Sequence, residues 1–183
     1  MNPGGDFRIM SQTTVGNYAF LSVDRCRLVT PDGPVVDRIV IRHPGAVAVV
    51  PVIGDDVVLI EQYRVAVDAY VVEIPAGKLD PGDVTVEAAA ARELEEETGY
   101  SAGSFTHLTT ILTAVGFSDE RISILLAEGL EPGDAAPAGA EERSARVKRV
   151  PLAVAVASVV AGEITDSKTI AGIMIADAHR RAT

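Results

Sequence analysis

Gly77-Lys78-Leu79-Asp80-Pro81-Gly82-Asp83, followed by Arg92-Glu93-Leu94-Glu95-Glu96-Glu97-Thr98-Gly99-Tyr100, is the stretch on which the reading of this chain turns. Asp80-Pro81-Gly82-Asp83 is turn chemistry, and Ala88 to Ala91 is a run of the strongest helix former. The pattern predicts a helix that starts near Asp83 or Thr85 and ends before Gly99. On such a helix Glu93, Glu96 and Glu97 share one face. Like charges three and four positions apart cost a few tenths of a kcal/mol per pair, at about 5–6 Å between Cβ atoms, so stability alone does not select them. A carboxylate cluster on a helix entered from a Gly-rich loop is a site for hard divalent cations, whose oxygen-only ligation suits Mg²⁺ or Mn²⁺ over zinc.

The chain around this stretch reads as one mixed α/β domain. Extended segments are expected over Tyr18 to Thr30, Val35 to Arg42, Val47 to Ile53, Val57 to Gln62, Val71 to Ile74, Phe105 to Thr113, Ile122 to Ala127 and Arg146 to Val150. Helices are expected over Leu152 to Ala161 and Ser167 to Arg180, the second capped by Asp166. Residues 1–16 are Gly-rich and polar and are expected to be loose at the start. Glu131 to Glu142, rich in Pro, Gly and Ala, is expected as a surface loop suited to a lid or a catalytic role.

With 26 acidic against 16 basic residues in 183, the chain has a field unfavourable to nonspecific binding of nucleic acid or anionic membrane. The longest apolar-rich stretch, Val150 to Ala161, is too short to span a bilayer. A single cysteine, Cys26, excludes an intrachain disulfide and suits a reducing compartment. Together with an N-terminus lacking a basic segment followed by an apolar run, this predicts a cytoplasmic protein.

Gly77, Arg92, Glu93, Leu94, Glu96, Glu97, Gly99 and Tyr100 resemble the Nudix box, the signature of hydrolases of nucleoside diphosphates linked to another group. Two departures stand out: the spacer acid is Asp83 instead of Glu, and the loop into the helix is one residue longer than the commonest form. Glu61-Gln62-Tyr63-Arg64, Glu73-Ile74-Pro75-Ala76-Gly77, Gly116-Phe117-Ser118-Asp119-Glu120 and the tail Gly162 to Gly172 resemble the ADP-ribose pyrophosphatase branch. Val115 stands where that branch usually has Pro. The resemblance runs from about Arg38 to Ala178.

The resemblance implies a Nudix fold, mixed β-sheets sandwiched between α-helices, over residues 45–183, with an N-terminal β-hairpin region over 1–44 that contributes to a homodimer. It implies a metal site of Glu93, Glu96, Glu97 and the main-chain carbonyl of Ala76, holding Mg²⁺ (or Mn²⁺), with Arg92 orienting a helix carboxylate. Arg38 and Arg64 resemble diphosphate or ribose contacts, and Phe117 is a substrate-binding candidate that could also be core. For the general base the candidates are Glu120, Glu141 and Glu142, of which Glu142 is favoured. His43, His107 and His179 form no ligand spacing. The implied reaction is Mg²⁺-dependent hydrolysis of ADP-ribose to AMP and ribose 5-phosphate. The alternatives are another nucleoside diphosphate sugar such as GDP-mannose, or a noncatalytic ADP-ribose-binding sensor, which would have no need of all three carboxylates.

Overall fold

The computed structural model describes residues 6–136 and 143–182. The chain divides into two compact units, Met1–Gly45 with Leu112–Arg121, and Ala46–Ile111 with Ile122–Thr183.

The first unit is an antiparallel sheet of β1 (Arg8–Tyr18), β2 (Leu21–Val29) and β3 (Val35–Arg42), in that order. The expectation of a loose start over residues 1–16 fails from Arg8 onward, where β1 pairs with β2 from Arg8↔Val29 to Tyr18↔Leu21. Its residues are almost all exposed, so no alternation of apolar and polar side chains announces the strand. Backbone pairing and a polar anchor hold it instead. Asp24, buried on β2, accepts hydrogen bonds from Gln12 Nε2 (2.7 Å), Thr14 Oγ1 (2.8 Å) and Arg42 Nε (2.8 Å). Segment 112–121 is tied to β3: Phe117 O accepts from Ile41 N (2.7 Å), and Asp119 N donates to Ile41 O (3.2 Å).

The hydrogen bonds from Arg42 and Thr14 outweigh burial and hold the Asp24 carboxyl below its usual range. A depressed folded pKa contributes stability that is full above the unfolded value of about 3.9 and is lost as pH falls through the folded one. Thermal melts between pH 7 and pH 2 should therefore show a midpoint that drops below about pH 4. The drop should be shallower in Asp24→Asn; an identical pH dependence in the two proteins would contradict this role of Asp24.

The second unit is built on a mixed sheet of order β12-β5-β4-β10-β9, with β6 paired to β5 and β7 to β4. Its strands are β4 (Ala46–Ile53), β5 (Asp56–Arg64), β6 (Ala69–Glu73), β7 (Ala76–Lys78), β9 (Ser104–Leu112), β10 (Arg121–Glu128) and β12 (Arg146–Pro151), with the small pair β8 (Tyr100–Ser101) and β11 (Glu131–Pro132) beside it. The helices are α1 (Val86–Thr98), α2 (Leu152–Val160) and α3 (Ser167–Ala182). The central strands β4 and β10 run parallel, Ile122↔Ala46 to Ala127↔Pro51.

Period-two alternation explains why these strands are apolar throughout. Val47, Val49, Leu125 and Ala127 pack with Ala89, Ala90 and Leu94 of α1. Ala48, Val50, Val52, Ile124 and Leu126 pack with Leu152 and Ala155 of α2 and Ile173 and Ala176 of α3. A sheet thus lies between helices on both faces, the α/β sandwich expected. Gly172 lets α3 approach closely, since a Cβ there would meet Ile74 Cδ1 at 2.9 Å and Val50 Cγ2 at 3.0 Å. The stretch expected as a surface loop opens with the short strand β11, and its residues 137–142, including Glu141 and Glu142, lie outside the described residues. No helix among the described residues is long and apolar enough to cross a membrane.

Candidate active site on helix α1

Helix α1 is fixed at both ends by the residues the sequence supplies. Thr85, extended at φ −145° and ψ 163°, accepts the Ala88 N–H on its hydroxyl (3.1 Å) and caps the N-terminus. Gly99, at φ 75°, donates its N–H to Glu95 O (2.9 Å) and ends the helix in the left-handed region. The preceding turn closes on itself, with Asp83 N donating to Asp80 O (2.9 Å) and Asp80 N to Asp83 Oδ2 (2.8 Å). The buried face comprises Ala89, Ala90, Glu93, Leu94, Glu97 and Thr98. These are two rows with a spacing of four, so Glu93 and Glu97 follow Ala89 along one row. Glu93 is 8% and Glu97 9% exposed, and burying a carboxylate costs several kcal/mol unless partners compensate.

The partners come from the Gly77 loop and from Arg92. Glu97 Oε2 accepts the Ala76 N–H (2.9 Å). Arg92 Nη1 donates to Glu93 Oε1 (2.7 Å) and Glu96 Oε2 (3.2 Å). Its other face donates to Asp83, Nη2 to Oδ2 at 3.0 Å and Nε to Oδ1 at 3.3 Å, and to Lys78 O at 3.3 Å. The Arg92 bonds, reinforced by the Asp80 N–H, outweigh burial and hold Asp83 below the usual carboxylate range. Asp83 and Glu93 likewise raise the Arg92 pKa. Glu95 is exposed. In the sequence Asp83 reads as a turn residue near the helix start and as the spacer acid of the box. Its place as anchor of Arg92 follows from the turn geometry, which motif spacing does not reveal.

Gly77 leaves the space that Glu93 fills. A Cβ at position 77 would stand 2.0 Å from Glu93 Oε1 and 2.1 Å from its Cδ, an impossible approach. Gly77→Ala must therefore displace the Glu93 carboxylate. A misplacement of about 1 Å in a catalytic group can cost about 10²-fold in rate, and a loss near that size is expected in kcat at saturating Mg²⁺. Wild-type turnover in Gly77→Ala would show that the position of the Glu93 carboxylate is immaterial.

The structure thus brings Ala76, Gly77, Glu93 and Glu97 together and links Glu96 to Glu93 through Arg92. Among the described residues no three Asp, Glu, His or Cys side chains are spaced to hold a metal ion, and Glu93 and Glu96 both turn to the Arg92 guanidinium. The donor set still fits a hard dication in kind: every group is an oxygen, and the missing Cβ of Gly77 admits a carboxylate against the main chain.

Arg64, at the end of β5, pairs with the buried Glu73 through two parallel bonds, Nε–Oε1 at 2.6 Å and Nη2–Oε2 at 2.7 Å. Arg38 is exposed on β3, its Nη1 donating to Asp37 O (2.9 Å). Phe117 is 56% exposed, so it is not core, and Val115 is 75% exposed. Glu120 accepts the Thr113 hydroxyl on Oε2 at 2.6 Å, and its Oε1 lies 3.3 Å from His43 Nε2. His43, one of the three histidines without ligand spacing, accepts the Gly45 N–H on Nδ1 (3.0 Å) and turns its Nε2 to Glu120.

A short loop, a capped helix and two buried carboxylates laid against Ala76 and Gly77 can be compared with known proteins. The NUDIX domain model matches residues 42–170. The chain is 37% identical over 159 residues to a methanol dehydrogenase activator from Bacillus methanolicus, spanning 86% of this chain and 84% of that protein. It is 36% identical over 170 residues to an ADP-ribose pyrophosphatase from Mycobacterium tuberculosis, spanning 92% and 82%. A crystal structure of an ADP compounds hydrolase, 25% identical, matches with a TM-score of 0.82 over 100% of this chain and 98% of that one. Residues 42–170 include both the Gly77 loop and α1, so the box and its surroundings match as one piece, and this chain belongs to the NUDIX domain family.

Proposed function

We propose that this chain hydrolyses the diphosphate linkage of ADP-ribose, consuming one water and releasing AMP and ribose 5-phosphate. The observation that carries the reading is the pair of buried carboxylates, Glu93 and Glu97, set on a capped helix against the Ala76–Gly77 main chain. Similarity to an ADP-ribose pyrophosphatase over 92% of the chain supports the choice of substrate.

Glu93, Glu96, Glu97 and the Ala76 carbonyl would hold Mg²⁺ or Mn²⁺, which when bound neutralises diphosphate oxygens and polarises phosphorus. Arg92, anchored by Asp83, orients Glu93 and Glu96. Glu142 takes the proton of the attacking water, and Arg38, Arg64 and Phe117 contact the substrate. Exposed apolar residues on the first unit, among them Ile9, Met10, Val15, Tyr18 and Ile39, support a homodimer formed through that sheet. The single, buried Cys26 suits a cytoplasmic setting.

The test is product identification. Purified protein with Mg²⁺ is incubated with ADP-ribose, ADP-glucose, GDP-mannose, dinucleotides and nucleoside triphosphates. AMP and ribose 5-phosphate, formed with the highest kcat/KM of the panel, are expected. A preference for GDP-mannose overturns the substrate, and binding of ADP-ribose without cleavage overturns the enzyme in favour of a sensor.

A further inference from the structure

Two stretches far apart in sequence meet in the second unit: Arg64 at the end of β5 with Glu73 at the end of the adjoining β6, and Asp166-Ser167-Lys168-Thr169 at the start of α3. The Glu73 carboxylate, 2% exposed, accepts both bonds of Arg64 and a third from Lys168 Nζ. Lys168, itself buried, pairs in turn with Asp166 Oδ2 (3.0 Å). Thr169 fastens the same junction: its hydroxyl donates to Asp166 Oδ2 (2.6 Å) and accepts the Ile74 N–H (2.9 Å). Two cations and two anions balance, and every member has a geometric partner.

Such a network is a costly way to staple a helix to a sheet, because well-packed apolar groups of the same volume stabilise as much or more. What it supplies beyond attachment is a fixed guanidinium. A bidentate pair locks the plane of an arginine, and a lysine on the far side locks the carboxylate that holds it. The Arg64 side chain remains 41% exposed, while that of its partner is 2% exposed. The anchor is therefore buried while the Arg64 side chain keeps access to solvent. It also lies within electrostatic range of Glu97 on α1.

We propose that Glu73 and Lys168 are positioning residues, which hold the Arg64 guanidinium in one orientation for the diphosphate of the substrate. The inference rests on the reading of Arg64 as a substrate contact, and the experiment separates the two. Steady-state kcat and KM for ADP-ribose at saturating Mg²⁺ are measured for wild type, Glu73→Gln, Arg64→Ala and the double variant, with thermal midpoints in parallel. Positioning predicts that Glu73→Gln raises KM about tenfold with kcat little changed, and that this rise vanishes in the Arg64→Ala background.

A structural staple alone would lower the thermal midpoint and leave KM unmoved, or raise KM equally in both backgrounds; either result overturns the proposal. If Arg64→Ala itself leaves KM at the wild-type value, the reading of Arg64 fails and the proposal fails with it. Lys168→Met keeps the Arg64–Glu73 pair but unties it from α3, and so gives a second measurement should Glu73→Gln not fold. A KM rise of about threefold that disappears with Arg64→Ala is expected, and one that persists there overturns the proposal.

Discussion

Glu93→Gln and Glu97→Gln are each expected to lower kcat about 10³-fold at saturating Mg²⁺, with the fold retained. Gln preserves the shape of Glu but removes the charge that a hard dication requires. A metal supplies several kcal/mol of transition-state stabilisation, and each 1.36 kcal/mol is a factor of about ten in rate. The fold should survive because the neighbours keep partners. Arg92 retains Asp83, Glu96 and the Lys78 carbonyl when Glu93 is neutral, and a Gln at 97 can still accept the Ala76 N–H. Glu95→Gln is the control: that side chain is exposed on the same helix and its loss should leave turnover within about twofold. Turnover is measured by AMP release, and folding by circular dichroism and thermal melting. Near-normal turnover in Glu93→Gln or Glu97→Gln would remove the metal-site assignment.

The parts of this molecule legible in the sequence are those in which one local rule suffices. Thr85, the alanine run and Gly99 delimit α1 by capping chemistry, and the Val-rich strand β4 advertises burial on both faces. The strand β1 was illegible because its stability comes from backbone pairing and from the bonds of Gln12 and Thr14 to Asp24, which leave no hydrophobic period. The short strand β7 is hidden in the sequence for another reason. Ala76-Gly77-Lys78 reads as loop, and only the edge of β4 makes it a strand. In the site, the acidic face was readable from spacing, whereas the anchors Asp83 and Glu73 were not. Each acts on an arginine nine residues away, and the fold alone determines which acid meets which cation. His43 illustrates the same limit, since its value lies in a contact with Glu120 rather than in any motif.

Glu142→Gln is expected to lower kcat about 10²–10⁴-fold, the usual contribution of positioned proton transfer, while leaving the Mg²⁺ concentration for half-maximal activity unchanged. The three candidates for the base are not equivalent. A base that activates water must present an open lone pair to it and must be able to move with the substrate. In Glu120, one oxygen accepts the Thr113 hydroxyl at 2.6 Å and the other faces Nε2 of His43 at 3.3 Å. The segment carrying it is pinned to β3 through Phe117 and Asp119, which further restricts its reach. Glu120 is thereby suited to holding the 112–121 segment together, and Glu120→Gln should act on stability more than on rate. That leaves Glu141 and Glu142, next to each other beyond the described residues, and both arise from the Pro, Gly and Ala stretch whose composition suits a catalytic loop. Rate constants for Glu120→Gln, Glu141→Gln and Glu142→Gln decide among them. A loss confined to Glu142→Gln supports the assignment. A loss of the same size in Glu141→Gln or Glu120→Gln, with Glu142→Gln near wild type, transfers the proton to that residue and leaves the metal chemistry of α1 untouched.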